Sequence, residues 1–228
     1  MGKEKKMFFL GCLIILMLIS FSSITFPIFV SQTLKKQHAV LIDPGHGGSD
    51  PGKVGSGSVL EKDINLSLSL KLKKILEKEN LKVYLTRDGD YNLASSSANV
   101  QISDLKNRKQ QIFDLEPAVV ISIHQNSYPS GSVSGAQVFY YQGASRSKLL
   151  ADSIQSALIA GLDPSNHRQA KANTSYYLLR DNPYPTVIVE CGFLSNEEEK
   201  KKLQSGAYQT KAAKCICRGL KAYLKQTQ

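Results

Sequence analysis

The sequence predicts a single α/β domain with a mostly parallel, mixed central sheet flanked by helices on both faces. Two observations carry this expectation. Short apolar, β-branched runs alternate with amphipathic segments of helical period from residue 38 to the C-terminus. Neither an internal repeat nor a second domain is visible in that stretch. A third observation locates the working edge of the sheet. The first apolar run, residues 39–42, passes directly into a loop of Pro44, Gly45, Gly47, Gly48, Pro51 and Gly52, with His46 between two glycines. Small neighbours let a ligand approach the backbone. In open α/β sheets, sites gather beyond the carboxyl ends of the strands.

The elements follow in order. Lys3, Lys5 and Lys6 precede a largely apolar stretch of 24 residues, 7–30, with Pro27 near its far end. That length spans a bilayer, and the lysines orient the N-terminus to the cytoplasm. No small-x-small cleavage site is clear, so an uncleaved anchor is favoured over a signal segment. Apolar residues continue well past Cys12, which argues against a lipoprotein site. Residues 1–6 are therefore read as a cytoplasmic basic segment, 7–30 as membrane anchor or signal segment, 31–37 as linker and 38–228 as the catalytic domain. Residues 61–79 form a helix, with Ile64, Leu68, Leu72, Ile75 and Leu76 at helical spacing and lysines between. Residues 81–86 are a strand and 87–99 a polar loop. A second helix, 102–115, carries a basic face of Lys106, Arg108 and Lys109. Residues 118–124 read as a central strand, 129–135 as a turn, and 136–141 as an antiparallel or edge strand. Helix 146–162 and a polar loop, 164–172, follow. Strands are expected at 175–179 and 186–190, the second β-branched. Helices 196–204 and 208–225 close the chain. Asn196 caps the first of them, with Glu197, Glu198 and Glu199 in its first turn, where the helix dipole favours them.

The net charge is +10, of which residues 1–36 hold +4, leaving +6 for the domain. That excess suits an anionic surface or wall polymer. No basic block with interleaved aromatics appears, so nucleic acid is not expected. Cys12, Cys191, Cys215 and Cys217 form no disulfide framework and are expected to be free, mostly buried thiols.

Three strands end in groups that bind metals or move protons: His46 after the first, His124 at the end of 118–124, and Glu190 at the end of 186–190. Glu61 opens the helix after the glycine loop. Two His and a Glu are a common three-ligand zinc set, and a nearby carboxylate serves as general base. Taken alone, His124 also reads as a satisfied strand-end histidine and Glu61 as a solvated helix-start acid. Glu190, at the end of an apolar strand, is harder to dismiss, because buried charges are rare unless paired or metal-bound. His38 and His167 are left to structural roles. Asp43 is read either as a group orienting His46 or as a strand-end turn residue.

Four separated motifs resemble those of zinc-dependent N-acetylmuramoyl-L-alanine amidases of the type 3 family. They are D-P-G-H-G-G-S-D-P-G from Asp43, Glu61-Lys62-Asp63, S-I-H-Q-N-S from Ser122, and V-E-C-G-F-L-S-N from Val189. The resemblance covers nearly the whole domain. It implies Zn2+ on His46, Glu61 and His124, Glu190 as the catalytic carboxylate, and a mixed sheet flanked by helices. It also implies hydrolysis of the amide between N-acetylmuramic acid and L-alanine in peptidoglycan, with Glu190 moving the protons of a zinc-activated water. The chain is most similar to the germination-specific amidases of spore-forming bacteria. The carriers are the anchor-like N-terminus, the lone catalytic domain and G-A-Q-V-F-Y-Y from Gly135. That implies cortex trimming toward muramic δ-lactam, outside the cytoplasm. The stretch 162–175 is too short for the autoinhibitory helix of some family members, so an activating partner protein remains open. Gln125 stands where a small residue often follows the second His, which leaves groove contacts there open. The competing readings are a general wall amidase of vegetative growth or lysis, a zinc carboxypeptidase, and a non-catalytic wall-binding module. The carboxypeptidase would need Arg87, Arg168 or Arg180 as a carboxylate clamp. The binding module is disfavoured by the presence of all four candidate residues.

Overall fold

The β-branched runs become the middle of a six-stranded sheet. The computed structural model describes residues 39–96 and 98–227. The expectations for residues 1–37 and for His38 lie outside them. In chain order the elements are β1 (Val40–Pro44), β2 (Val54–Gly55), β3 (Val59–Leu60), α1 (Glu61–Lys78), β4 (Val83–Leu85), α2 (Val100–Leu115), β5 (Val119–Asn126), β6 (Gln137–Tyr141), α3 (Ser145–Leu162), β7 (Lys171–Asn173), β8 (Thr186–Phe193), α4 (Glu197–Gln204) and α5 (Gly206–Thr227). The sheet order is β4-β1-β5-β8-β6-β7. Strands β4, β1, β5 and β8 run parallel, whereas β6 is antiparallel to β8 and carries β7 parallel to itself. The expected mixed, mostly parallel sheet is present. Among the described residues no helix is long and apolar enough to cross a membrane.

Strand side chains alternate between faces, and here each face has its own helical cover. Val40, Ile42, Ile121, Ile123, Val187 and Val189 pack into one core with α1, α3 and α5. On the other face Leu41 and Val120 meet Ile112 of α2 and Leu178, and Phe139 and Ile188 meet Leu179. Helix α1 supplies Ile64, Leu68, Leu72 and Leu76, the expected stripe. Asn196 caps α4 as expected, accepting from the backbone of Glu198 and Glu199. Cys191, Cys215 and Cys217 are free and buried.

Two elements differ from expectation. Residues 175–179 are not a strand; the edge strand is β7, at the end of what reads as a polar loop, 164–172. The Asn173 side chain accepts from the backbone of Ser175 and Tyr176 and turns the chain there. Leu178 and Leu179 are then buried from a turn rather than from a pleat. A two-strand hairpin, β2–β3, also forms around Ser56-Gly57-Ser58, where Gly57 and Ser58 have positive φ. The Ser-Gly-Ser between two valines was its only signal.

Helix α5 approaches α3 at Gly219. A Cβ there would lie 2.5 Å from Ile154 Cα and 2.8 Å from Ser153 O, both backbone atoms. Overpacking of this kind costs about 1–3 kcal/mol, more than the roughly 0.5–1 kcal/mol that alanine gains over glycine in a helix. Gly219→Ala should therefore lower the urea midpoint; an unchanged or raised midpoint would show that the two helices separate freely.

Candidate active site

The carboxyl edge of the parallel strands carries the site. Asp43 pairs in register with Ser122, and His124 with Glu190. Paired residues of neighbouring strands share a face, so these four project away from α1, α3 and α5. After His124 the register with β8 shifts, with Asn126 opposite Phe193. Such irregularities re-aim side chains next to sites.

His46 and Glu61 reach the same edge from the glycine loop and the start of α1. Glu61 Oε2 lies 3.2 Å from His46 Nε2, and Oε1 lies 3.0 Å from His124 Nδ1. One ligand atom from each of the three residues falls within 4.8 Å of the others. Glu61 is buried and also accepts from the backbone of Lys53 at 2.8 Å and Gln125 at 3.0 Å, and from Asn65 Nδ2 at 3.3 Å. Burial alone would raise its pKa, but the two histidines hold the carboxyl far below the usual range. Burial opposes the charge on His46, yet Glu61 and Asp50 outweigh it and push its pKa up to about 9. Two imidazole nitrogens and a carboxylate are a donor set that suits zinc. The glycines permit the convergence. A Cβ at Gly45 would lie 2.2 Å from the His124 ring, and one at Gly52 would lie 2.6 Å from His46 Cδ2 and 2.7 Å from Glu61 Oε2.

Glu190 stands in the same cavity, of about 380 Å³, with His46, His124, Leu105, Tyr176 and Tyr177 among its walls. Its Oε2 is buried and, among the described residues, has no hydrogen-bond partner. Burial pushes its carboxyl up to about 7, against the pull of His124 and with the push of Glu61. A carboxyl near neutrality, aimed into a cavity beside a metal-type donor set, can both take and give a proton.

The support beneath His46 was not legible in the sequence. His46 has φ 62°, the left-handed region that non-glycine residues rarely adopt. Its Nδ1 bonds to Asp50 Oδ2 at 2.8 Å, and its carbonyl accepts from Arg108 Nη2 at 2.7 Å. Asp43 does not orient His46. It accepts instead from Thr86, Ser122 and Arg108, each at 2.6 Å. Arg108, expected on a basic face with Lys106 and Lys109, is buried instead. Asp104, Arg108 and Ile112 recur every four residues and form the buried face of α2, with Arg108 Nε held 2.6 Å from Asp104 Oδ2. Gln125 does not enter the groove; it faces α1, donating to Asn65 Oδ1 at 3.1 Å. The i,i+4 spacings His46–Asp50, Glu61–Asn65 and Asp104–Arg108 were the available signals.

The three arginines considered as a carboxylate clamp are engaged elsewhere. Arg87 donates to the carbonyls of Pro44, Gly45, Lys62 and Gly89. Arg168 stacks on Phe193 and donates to Ser134 O, and Arg180 pairs with Asp181. None lines the cavity.

Residues 40–222 match the family profile described as N-acetylmuramoyl-L-alanine amidase. The chain is 36% identical over 191 residues to the germination-specific N-acetylmuramoyl-L-alanine amidase of Bacillus subtilis, covering 82% of this chain and 80% of that one. It is similar in structure to the CwlD amidase of Clostridioides difficile, solved in complex with the GerS lipoprotein. The TM-score is 0.80 and the identity 39%, covering 82% of this chain and 98% of that one. The amidase AmiC2 of Nostoc punctiforme superposes with a TM-score of 0.72 at 32% identity, covering 83% and 98%.

The Asp43–Arg108 pair yields a prediction. Arg108→Ala leaves Asp43 and Asp104 buried without their cation and should cost about 3–5 kcal/mol in denaturant unfolding. Burial would raise the Asp43 pKa, but Arg108, Ser122 and Thr86 lower it from 3.8 to about 2. A depressed carboxylate stabilises fully above its unfolded pKa and loses that contribution as pH falls through its folded pKa. The stability gap between wild type and Asp43→Asn should thus shrink by roughly 2 kcal/mol between pH 5 and pH 2. A gap constant across that window would show that the charge of Asp43 is not what the network holds.

Proposed function

We infer the chemistry of this site from one premise: the chain belongs to the N-acetylmuramoyl-L-alanine amidase family and is a peptidoglycan amidase. In our reading, His46, Glu61 and His124 hold a zinc ion and Glu190 moves the protons. The observation that carries it is the convergence of three ligand atoms within 4.8 Å beside the partnerless Glu190 oxygen. When bound, zinc supplies Lewis acidity and a nucleophile at neutral pH. Glu190 Oε2 takes the proton as water adds to the lactyl carbonyl of N-acetylmuramic acid. The carbon–nitrogen bond then breaks, and Glu190 returns the proton to the departing L-alanine amine. Asp50, on His46 Nδ1, leaves Nε2 as the ligating nitrogen of that ring. Tyr176, Tyr177 and Leu105 supply the apolar part of the cavity wall against which a glycan or stem peptide rests.

We extend the reading to spore cortex processing toward muramic δ-lactam, over general wall turnover. The similarity to a germination-specific amidase and to CwlD supports it. CwlD was solved with a lipoprotein bound, and by analogy we expect this chain to work with an activating partner. Residues 38–228 would act outside the membrane, held or exported by residues 7–30.

Mass analysis of muropeptides after digestion tests the bond. Free L-alanine amines and intact glycan are expected; released C-terminal residues instead would establish a carboxypeptidase. His124→Ala should lose both zinc and activity, and full zinc occupancy in that variant would remove His124 from the ligand set. Glu190→Gln should keep its zinc and its unfolding midpoint but lose about 10²–10⁴-fold in turnover. Near wild-type turnover would make Glu190 a structural residue.

A further inference from the structure

Helix α5 holds five basic residues and no acidic one. Lys211, Lys214, Arg218, Lys221 and Lys225 recur at alternating spacings of three and four, which puts them on one face of the helix. All five are exposed. At 1.5 Å per residue the row is about 21 Å long. Its apolar side packs into the core against α1 and α3, so the cations stand on the outside of that helical layer. Neighbouring α1 adds exposed Lys74 and Lys78. Glu79 pairs with Lys221. Among the described residues, no ion pair engages Lys211, Lys214 or Lys225.

The place of the row has two consequences. It lies on the sheet face opposite Ser122, His124 and Glu190, so a surface bound along α5 leaves the cavity open. It also ends beside the point where the chain enters the domain. Val40 N donates to Lys82 O at 2.8 Å, and Lys82 follows three residues after Glu79, the partner of Lys221. Nine residues, 31–39, separate the apolar run from β1. Fully extended they reach roughly 30 Å.

We propose that the α5 row is a docking surface for the anionic phospholipid head groups of the membrane that holds residues 7–30. This rests on the anchor reading above. A tether of that reach permits the row to contact the bilayer, and clustered Lys and Arg in a chain with a membrane segment are what anionic lipid attracts. Docking along α5 turns the catalytic cavity away from the membrane, toward the wall.

The test uses the full chain in nanodiscs of phosphatidylcholine alone or mixed with phosphatidylglycerol, read by amine acylation and mass spectrometry. In the anionic discs, acylation of Lys211, Lys214 and Lys225 should slow about fivefold or more, the effect of one cation near an anionic surface. High salt should restore it, and Lys106, across the sheet on α2, should not change. In the Lys211→Gln, Lys214→Gln, Lys225→Gln variant, Lys221 should lose its dependence on lipid charge while activity on soluble muropeptides persists. Equal acylation in both discs, with the chain inserted, overturns the proposal. Slowing by a soluble glycerol-phosphate polymer but not by anionic lipid overturns it in favour of a wall polymer. A chain that does not enter the discs overturns the anchor reading, and the docking surface with it.

Discussion

The carboxylate of Glu61 is the point on which the catalytic edge depends. It is 3% exposed, and a carboxylate so removed from water is costly unless its oxygens are engaged. The engagements come from three parts of the fold: His46 and Lys53 N from the glycine loop, His124 and Gln125 N from β5, and Asn65 from α1. Asn65 also donates to Gly45 O at 3.1 Å, tying α1 to the end of β1. Loop, helix and strand therefore close around one charge, and displacing it would unpair all of them. Its position at the first residue of α1 adds the favourable end of the helix dipole.

A second charged layer lies beneath. Arg108 and Arg87 are both buried and spend their donors on the carbonyls of Pro44, Gly45, His46 and Lys62. The glycine loop is thus held by its backbone, which leaves its side chains free for chemistry. That arrangement explains how His46 keeps a left-handed conformation: the surrounding structure over-determines it. The same device costs stability wherever a partner is lost, because each guanidinium serves several acceptors at once.

The sheet divides the molecule's work between its faces. The face toward α2 carries Asp43, Ser122, His124 and Glu190, with the cavity above them. The opposite face carries most of the apolar core, and its outer surface is lysine-rich. Glu190 belongs to the chemical face because it is in phase with Ile188, while Val187 and Val189 point into the core. A slip of one residue in β8 would bury the carboxylate among leucines and expose a valine to the cavity.

Much of this was legible in the chain itself. The alternation of apolar runs and helical stripes determined an α/β domain. His46, His124 and Glu190 stood out because each ended such a run, and Glu61 because it opened a helix after the glycine loop. What the sequence could not determine was direction. Arg108 reads as one of three cations on a basic face, and only the docking of α2 on β1 turned it inward to Asp43. Asp43 reads as a neighbour of His46, and only the pleat pointed it to Ser122 and Thr86 instead. Gln125 leaves the groove contacts beside His124 open in the sequence, and it faces α1 because it is out of phase with His124. The turn at 175–179 has strand composition, and Asn173 ended the strand before it. Local composition and period are written in neighbouring residues, so the sequence determined the elements and the residue types at their ends. Strand register and helix phase depend on partners 40–80 residues away, so the tertiary structure decided which of those residues meet.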